Sequence, residues 1–412
     1  MENQTPTPKI SKRQAKQSRG FARHGRIRVQ TKASAIWGIF FKVVGLVLGA
    51  TVAVSGIAIA DLSNTIKANG IVLAGSTKVT EKDLAGPINM LLVGSDTRAG
   101  QGAGYGNETS VLADVIILLH VSADRKHATA LSFPRDLLVP WPACPSTSIP
   151  PGPGYLPQSL GQINATIANG GPGCTLLTVE ALTGLKIPYL AMIDFKGVIE
   201  MSNAIGGVEV CVTKPIHDSY TYLNLAAGTH VLQGKDALKF LRTRHGVGDG
   251  SDLSRISNQQ VFLTSLVRKV KSAGVLGNPI YLYSLASAAA RNMKLSESLT
   301  NVNVMVAMAG ALKNVELDKM TFLQVPSRGG LPAPYSGRVA PIYETANLIF
   351  EKLQKDEPVV LAEANGGQGA VVASPAPSAS ASPSPSASAS PNASALPTGV
   401  LGTTADTKTC SN

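Results

Sequence analysis

The sequence predicts an α/β protein: a layered α/β/α domain with a central mixed sheet, preceded by one transmembrane helix. Two patterns lead to this prediction. After residue 87, short apolar runs typical of buried strands alternate with longer stretches of helical periodicity, which is the order found in layered α/β folds. Before residue 87, a basic segment is followed directly by a long apolar run.

The apolar run covers residues 36–60 and contains a single charge, Lys42. A helix of this length, at ~1.5 Å per residue, crosses a bilayer core of ~30 Å. Basic residues before it predict a cytoplasmic N-terminus and an exported remainder. A cleavable signal peptide is the alternative, because residues 58–60 look like a cleavage site, but the run is long for one. We expect a single-pass protein of the cell membrane, with a basic cytoplasmic tail at 1–34 and the transmembrane helix at 35–60.

The net charge of +11 is concentrated at the N-terminus. Residues 1–32 hold nine Lys or Arg and one acid, so they carry +8 and the rest of the chain carries +3. Phe21 is the only aromatic residue in this segment, whereas single-stranded nucleic-acid sites interleave basic and aromatic side chains. We therefore expect no nucleic-acid partner. P-loop, GxGxxG and Ser-His-Asp signatures are missing from the sequence, so nucleotide-driven chemistry is not expected either.

The remainder divides by composition into three parts. Residues 61–86 look like an extracytoplasmic stalk, and residues 87–365 look like the globular domain. Residues 366–412 form an Ala/Ser/Pro-rich tail, whose low-complexity part at 370–399 lacks charged side chains and has few large apolar ones. Such a segment cannot bury a core, so we expect the tail to be disordered.

The strands of the domain are predicted from apolar runs that end at turn residues, such as Gly94 and Pro134. They are expected at 88–93, 115–121, 128–133, 190–195, 208–212 and 320–325, the last closing the sheet. The helices follow the 3.6-residue period and end near glycine, as at Gly184. They are expected at 175–182, 196–204, 234–242, 256–272, 287–292, 297–314 and 341–355.

Four cysteines suit an exported protein and allow three pairings. Cys144 and Cys174 both lie in Pro/Gly-rich loop sequence, where a disulfide is useful, and this pair is favoured. Cys211 lies in a stretch that alternates like a strand, so it is interpreted as a buried thiol.

The segment 242–260 is the strongest chemical signal. It contains Arg242, Arg244 and Arg255 with two acids around a glycine-rich bend. Arginine offers a planar fork of N–H donors that binds phosphate in a bidentate way. The segment therefore indicates an anion site, with phosphate or pyrophosphate as the leading ligand. A solvated helix face held by salt bridges is the alternative.

Further polar groups follow the predicted strands, where α/β folds usually bind ligands. Residues 94–98 (GSDTR) follow the first strand, Asp114 begins the second, and residues 134–136 (PRD) follow the third. Together with the segment 242–260, these motifs supply five arginines near strand or helix ends.

As an ordered set, these motifs resemble the LytR-CpsA-Psr family of bacterial cell-wall proteins, in its actinobacterial type. The resemblance is carried by GSDTR after the strand at 88–98, Asp114, LSFPRD at 131–136, the stretch 163–212, and the run through GDGSDLSRISNQQ to residue 260. It covers about 87–270 closely and extends to about 355. It implies a single-pass anchor whose extracytoplasmic domain, at 87–365, is catalytic.

The reaction implied by the resemblance moves a glycopolymer from a polyprenyl-pyrophosphate carrier to a muramyl hydroxyl of peptidoglycan and releases polyprenyl phosphate. This is a phosphotransferase of ligase type. The same site would serve a polyprenyl-pyrophosphate hydrolase, with water as the acceptor. A non-catalytic protein that binds or regulates the cell wall is the third reading.

The resemblance also implies residue roles. Asp96 and Asp114 are expected to bind Mg²⁺ or Mn²⁺, and Gln259 is expected to make a polar contact with the substrate. The pyrophosphate is assigned to Arg98, Arg135, Arg242, Arg244 and Arg255. Asp136 either orients an arginine or acts as a general base, and orientation is favoured because an Asp near its usual pKa of ~3.9 is a poor base at neutral pH.

Structural roles outside the chemistry are expected for other polar residues. Asp249 and Asp252 are expected to hold the bend through Arg244 or Arg255. His120, among apolar neighbours, is expected to be a satisfied core residue, and His245 a loop residue outside the chemistry.

Two positions depart from the family pattern. Many relatives carry arginine just before the position of Asp114, where this chain has Ala113, and another where it has Asn258. These two missing arginines are the support for the third reading, a non-catalytic protein that binds or regulates the cell wall.

A lipid groove would be lined by apolar side chains between the sheet and its helices. The candidates are Val198, Ile199, Met201, Leu238, Leu241 and Leu263. An ordinary core gives the same pattern and is the favoured reading for each of them.

Overall fold

A computed structural model describes residues 32–71, 73, 84–96, 112–146, 154–271, 278–373 and 395–412. The chain divides into two compact units, Met1–Ala60 and Asp61–Asn412. The first helix, α1, spans Lys32–Ala68, and its segment Ile39–Ala68 is long and apolar enough to cross a membrane. It is the one such helix in the described part of the chain.

The remaining helices all lie in the second unit. They are α2 (Thr166–Thr183), α3 (Phe195–Ala204), α4 (Gly234–Arg242), α5 (Asp252–Lys271), α6 (Pro279–Asn292), α7 (Val302–Asn314) and α8 (Tyr343–Gln354). Helix α5 begins four residues before the predicted start at 256, because Asp252 occupies the first turn, where the helix dipole favours a carboxylate.

Eighteen strands are described. The first nine are β1 (Gly70–Ile71), β2 (Ile88–Ser95), β3 (Ala113–Val121), β4 (Ala128–Phe133), β5 (Leu138–Trp141), β6 (Gln158–Gln162), β7 (Tyr189–Ile193), β8 (Val208–Val212) and β9 (Ile216–Asp218). The others are β10 (Leu223–Leu225), β11 (Gly228–Leu232), β12 (Met293–Ser296), β13 (Met320–Gln324), β14 (Ser327–Arg328), β15 (Ala340–Pro341), β16 (Ala370–Val372), β17 (Gly402–Thr404) and β18 (Thr409–Ser411).

The central sheet is mixed, as the sequence predicts. Its strand order is β1-β12-β7-β2-β3-β4-β13-β17. Strands β2 and β7 are parallel, as are β4 and β13, whereas β2, β3 and β4 run antiparallel in succession. Strand β13 does not close the sheet, because β17 pairs with its outer edge.

Helices cover both faces of this sheet and produce the α/β/α layers. Neighbouring residues point to opposite faces, since Ile116 joins one hydrophobic core and Ile117 the other. Val179 of α2 and Phe350 of α8 pack in the first core, and Met308 of α7 packs in the second.

A smaller sheet lies beside the site described below. Its order is β11-β8-β18-β16, and helices α4 and α5 pack on it through Phe240 and Phe262. Two-stranded sheets are formed by β5 with β6, β9 with β10, and β14 with β15.

The predicted stalk belongs partly to the folded domain. Ile66, at the end of α1, is buried in the second core, and β1 pairs in parallel with β12. Apolar burial and strand pairing therefore begin before residue 87. Residues 72 and 74–83 of the predicted stalk lie outside the described part of the chain.

The predicted disordered tail is wrong for residues 366–373 and 395–412. These residues supply β16, β17 and β18, and Leu396 and Val400 are buried in the first core. Residues 374–394 lie outside the described part.

Two disulfides are seen in the described part of the chain, and Cys174 lies in helix α2 rather than in the loop expected from the sequence. Cys144 is bonded to Cys174, the pair favoured from the sequence. Cys211 is not a free thiol, because β18 pairs in parallel with β8 and brings Cys410 opposite Cys211, where the two form a disulfide.

Candidate functional site

The site starts at a β-bulge between β2 and β3. Gly94 pairs with Val115 and Ser95 pairs with Ala113, so Asp114 is the extra residue between them. A bulge re-aims the side chain that it carries. Glycine is required at position 94, since a Cβ there would lie 2.9 Å from the Cβ of Val115. The local sequence thus projects Asp114 from the sheet and frees its carbonyl from the ladder.

Arg135 is brought to Asp114 by the end of β4. Pro134 stops this strand, and the amide of Leu137 donates to the carbonyl of Pro134, which closes a turn containing Arg135. Because β4 pairs with β3, Arg135 Nη1 donates to Asp114 Oδ1 at 2.6 Å. This charge-assisted bond fixes the guanidinium.

Arg255 approaches the same carboxylate from α5. Its Nη1 lies 3.6 Å from Asp114 Oδ1, and its Nη2 donates to the Asp114 carbonyl at 3.0 Å. Asp252, one turn earlier on the helix, lies 2.7 Å from Arg255 Nη2. The side chain of Arg255 is almost completely buried, and these two acids compensate its charge.

Asp252 joins the arginines into one network. Its Oδ1 lies 3.4 Å from Arg135 Nε and 3.9 Å from Arg244 Nη2. Burial lowers the pKa of Arg135, but the nearby Asp114, Asp252 and Asp136 together raise this pKa above its ordinary value. Arg135 is therefore a permanent cation.

Asp136 has the contacts of an orienting group. Its Oδ1 accepts from Gln162 Nε2 at 2.8 Å and from Arg338 Nη1 at 3.1 Å, and its Oδ2 lies 3.5 Å from Arg135 Nε. Three neighbours therefore engage this carboxylate, and both of its oxygens face a donor group. The geometry thus favours orientation over general-base catalysis.

A charged cavity lies over this network, and we call it the arginine cavity. It is lined by Asp114, Arg135, Asp218, Tyr220, Thr221, Arg242, Arg244, His245 and Arg255. Arg242 ends α4 and its guanidinium stacks over the Phe195 ring, 4.4 Å from the centroid. Four arginines against two carboxylates make this cavity suited to an anion.

A second cavity of about 280 Å³, the apolar cavity, is lined mainly by side chains of the central sheet, α3, α4 and α5. Val198, Met201, Leu238, Leu241 and Leu263 line it, whereas Ile199 does not. The two cavities share Asp114, Arg242 and Arg255. The apolar space therefore opens onto the guanidinium groups.

Amide side chains of α5 hold the end of α4. Asn258 Nδ2 donates to the Phe240 carbonyl at 2.7 Å, and Gln259 Nε2 donates to the Leu241 carbonyl at 3.0 Å. The last carbonyls of a helix have no intrahelical donor, so these bonds satisfy them. Asn258 is fully buried, so this position, where the family resemblance leads us to expect arginine, has a structural task here. A substrate contact by Gln259 stays a prediction.

The structure also places most of the other residues discussed in the sequence analysis. Ala113 is fully buried, and His120 is a core residue held between Asn89 and Asp356, as predicted. Asp252 contacts Arg244 and Arg255 as expected. Asp249, by contrast, accepts from Ser251 and Ser254. Arg98 lies outside the described residues.

Several residues of the site were not predicted from the sequence. They are Gln162, Asp218, Tyr220, Thr221 and Arg338, and they lie near the arginines through tertiary folding alone. An Asx-turn pattern at Asp218, followed two residues later by tyrosine, is the one local sign that was available.

Asp96 and Asp114 are the candidate metal ligands. Asp96 directly follows β2, and its Oδ1 accepts from the Leu112 amide at 2.7 Å, beside the strand that bears Asp114. Among the described residues, no group of three or more His, Cys, Asp or Glu side chains forms a metal cluster. Carboxylate oxygens are ligands that Mg²⁺ and Mn²⁺ accept, so the donor chemistry of these two residues suits such an ion. Asp114 lines the arginine cavity and Asp96 does not, and the metal site stays a prediction.

Comparison with known proteins agrees with the fold. The chain is 28% identical to the "Cell wall biosynthesis protein LcpA" of Corynebacterium glutamicum over 324 residues, which are 72% of this chain and 62% of the relative. It is 29% identical over 239 residues to the "Polyisoprenyl-teichoic acid--peptidoglycan teichoic acid transferase TagT" of Bacillus subtilis, covering 57% of this chain and 67% of TagT.

The match therefore spans less than two thirds of the length of LcpA. The solved structure described as a "LytR-Csp2A-Psr enzyme from Actinomyces oris" superposes with a TM-score of 0.51 at 24% identity, covering 69% of this chain and 94% of that one. The LytR_cpsA_psr family model matches residues 58–355, well over half of the chain. This protein belongs to the LytR_cpsA_psr family.

Proposed function

We propose that this protein is a membrane-anchored phosphotransferase. It moves a glycopolymer from a polyprenyl-pyrophosphate carrier to a hydroxyl of peptidoglycan and releases polyprenyl phosphate. The observation that carries the proposal is the wall shared by the arginine cavity and the apolar cavity, formed by Asp114, Arg242 and Arg255. A pyrophosphate bearing a long apolar chain requires these two environments next to each other.

The arginine cavity neutralises the pyrophosphate. Arg135 and Arg255 are held by Asp114 and Asp252, so their forks have one orientation before substrate arrives. Phosphoryl transfer depends on positioning and on electrostatic stabilisation rather than on covalent help from the protein. Pre-oriented guanidinium groups supply both.

The proposed step breaks one bond and forms one bond. The acceptor hydroxyl oxygen attacks the phosphorus that bears the sugar, and the bridging P–O bond to the lipid phosphate breaks with its electron pair. Polyprenyl phosphate leaves, the hydroxyl proton is released, and a phosphodiester joins the glycopolymer to peptidoglycan. The arginines bind the charge that develops on the leaving phosphate.

A divalent cation would be held by Asp96 and Asp114. When bound, Mg²⁺ or Mn²⁺ supplies charge neutralisation on the pyrophosphate oxygens. The contacts of Asp114 with Arg135 and Arg255 fix the position of its carboxylate at the arginine cavity. Asp136 positions Arg135 rather than accepting a proton.

Family membership and the names of relatives support the same reaction class. TagT is named as a transferase from a polyisoprenyl carrier to peptidoglycan, and LcpA as a protein of cell-wall biosynthesis. The glycopolymer of this chain is left unassigned.

An exported domain agrees with both disulfides and with α1. Disulfides persist in oxidising compartments, and helix α1 contains a segment long enough to span a bilayer. We propose a single-pass membrane protein with its N-terminus in the cytoplasm and the domain outside, because positive residues precede the helix.

The test uses the full chain in detergent with a polyprenyl-pyrophosphate-linked oligosaccharide and Mg²⁺, with and without peptidoglycan. We expect phosphodiester-linked glycan on peptidoglycan and polyprenyl phosphate release that depends on the acceptor. Release of sugar phosphate at the same rate without acceptor would identify a hydrolase instead. Binding of the lipid with neither product would identify a non-catalytic binding protein.

A further inference from the structure

An exposed aromatic ring stands at the edge of the arginine cavity. Tyr220, in the turn between β9 and β10, is 75% exposed and lines the cavity together with His245. The two rings stack with their centroids 4.3 Å apart and their planes at 28°. His245 covers one face of Tyr220, so the exposure of the tyrosine belongs to its other face and edge.

A buried carboxylate fixes the backbone of the turn that carries this ring. Asp218 is 2% exposed, and its Oδ1 accepts from the amides of Tyr220 at 2.8 Å and Thr221 at 3.2 Å. Its Oδ2 accepts from the Arg244 amide at 3.1 Å. The backbone segments that carry the aromatic ring and one arginine of the cavity are therefore fixed by the same carboxylate. Such pre-organisation lowers the entropic cost of binding.

The position of the Tyr220 ring in the arginine cavity indicates which part of the proposed substrate it contacts. The arginine cavity is bordered by the apolar cavity through Asp114, Arg242 and Arg255, and by Tyr220 and His245 elsewhere. A lipid tail fits the apolar side. The group on the other phosphate then lies toward the aromatic side. In a glycopolymer precursor this group is a pyranose, whose C–H face packs on aromatic rings by dispersion and through their quadrupole.

We propose that Tyr220, backed by His245, is the binding platform for the first sugar of the lipid-linked glycopolymer. This inference rests on the proposed function, because it assigns the sugar to the second phosphate of the same substrate. Tyr220 thereby contributes to specificity and separates sugar-bearing carriers from bare polyprenyl pyrophosphate.

Tyr222 provides a matched control. It lies in the same turn and is 83% exposed, but it does not line the arginine cavity. The test measures the affinity of the full chain, in detergent with Mg²⁺, for two probes: polyprenyl pyrophosphate without sugar, and the same lipid carrying one N-acetylglucosamine. The variants are Tyr220→Ala, Tyr220→Phe and Tyr222→Ala.

The wild type is expected to bind the sugar-bearing probe more tightly. Tyr220→Ala should lower the affinity for that probe about 5- to 10-fold, because an aromatic contact contributes ~1 kcal/mol. The affinity for the bare lipid should be unchanged. Tyr220→Phe keeps the ring and should retain most of the affinity, and Tyr222→Ala should change neither probe.

Two results would refute the role of Tyr220 as a sugar platform and leave the proposed function intact. Equal weakening of both probes by Tyr220→Ala would assign the tyrosine to the arginine cavity or to stability, and no weakening of either would remove it from binding. Failure of the wild type to bind even the bare lipid would refute the proposed function, and the platform with it.

Discussion

The arginine cavity and the apolar cavity share three residues but are built in opposite ways. In the first, Arg135 and Arg255 are fixed by Asp114 and Asp252 at distances down to 2.6 Å. The second is bounded mainly by aliphatic side chains, which impose no direction on what they contact. Under the proposed function, this difference means that the arginine cavity accepts the pyrophosphate in a single orientation, whereas the apolar cavity accepts the lipid in many conformations. Substitutions should therefore act very differently at the two ends.

The largest effect is expected from Arg255→Ala, because Arg255 belongs to both cavities and contacts both acids. An arginine that stabilises a transferring phosphoryl group contributes ~10³-fold or more to the rate. We expect a loss of this order in transfer to peptidoglycan, measured as initial rate with folding checked by circular dichroism. The exposed Arg291 of α6 supplies the control Arg291→Ala, which should keep the wild-type rate. A folded Arg255→Ala protein with normal transfer would refute the role.

The next effect concerns stability. Asp252→Ala leaves the buried guanidinium of Arg255 without its nearest anion, and loss of one partner from a buried pair costs ~3 kcal/mol. Urea unfolding of the full chain should show this loss. Added inorganic pyrophosphate should restore part of it, because a bound anion stabilises the folded state.

The matched variant for that measurement is Asp236→Ala. Asp236 forms an exposed pair with Lys239 on α4, so its removal should change the unfolding free energy by under about 1 kcal/mol. Similar losses in both variants would mean that the Asp252 network contributes no more than a surface pair.

A smaller effect is expected at the apolar end. Leu263→Trp fills part of the apolar cavity and should weaken polyprenyl pyrophosphate binding ~10-fold, equivalent to ~1.4 kcal/mol. Binding of inorganic pyrophosphate should stay unchanged in the same titration. Leu348→Trp, at a surface position of α8, is the control. Parallel loss of both ligands would show that the two cavities are not separable.

The smallest effect is expected at the amide side chain that holds the end of α4. Gln259→Ala removes the bond to the Leu241 carbonyl and should lower stability by ~1 kcal/mol, with a few-fold loss of transfer through displacement of Arg242. Gln233→Ala, at the other end of α4, removes a side chain that makes no capping bond and should be neutral. A large loss of substrate affinity at unchanged stability would instead support direct contact by Gln259.

Much of the fold follows from local patterns. Strands β4 and β8 and helix α4 have the predicted bounds, because their apolar periods end at Pro134, at a turn or at a change of period. The C-terminal strands were missed because β17 and β18 contain three residues each and follow a low-complexity stretch. Three residues show no periodicity, and only pairing with β13 and β8 makes them strands.

The residues of the site also divide into those that local sequence predicts and those that only tertiary folding brings together. The arginines at 135, 242, 244 and 255 were predicted, because guanidinium groups stand out at strand and helix ends. The orienting partners were not, since Arg338 lies more than two hundred residues after Asp114 and reaches Asp136 only through tertiary folding. The cysteine at 211 was misjudged for the same reason: its partner comes from a strand that had no local signal.

The position of β18 has a consequence for the order of folding. This strand is the last in sequence, yet it lies inside the smaller sheet between β8 and β16. The sheet therefore stays incomplete until residue 411 has paired, and a contact between partners 199 residues apart closes slowly. Gly248, in the bend that follows Arg244, donates its amide to the Asn412 carbonyl at 2.8 Å. We expect the Gly248 amide to gain protection late in pulsed hydrogen-exchange refolding, so that the bend beside the arginine cavity becomes ordered only after β18 has paired.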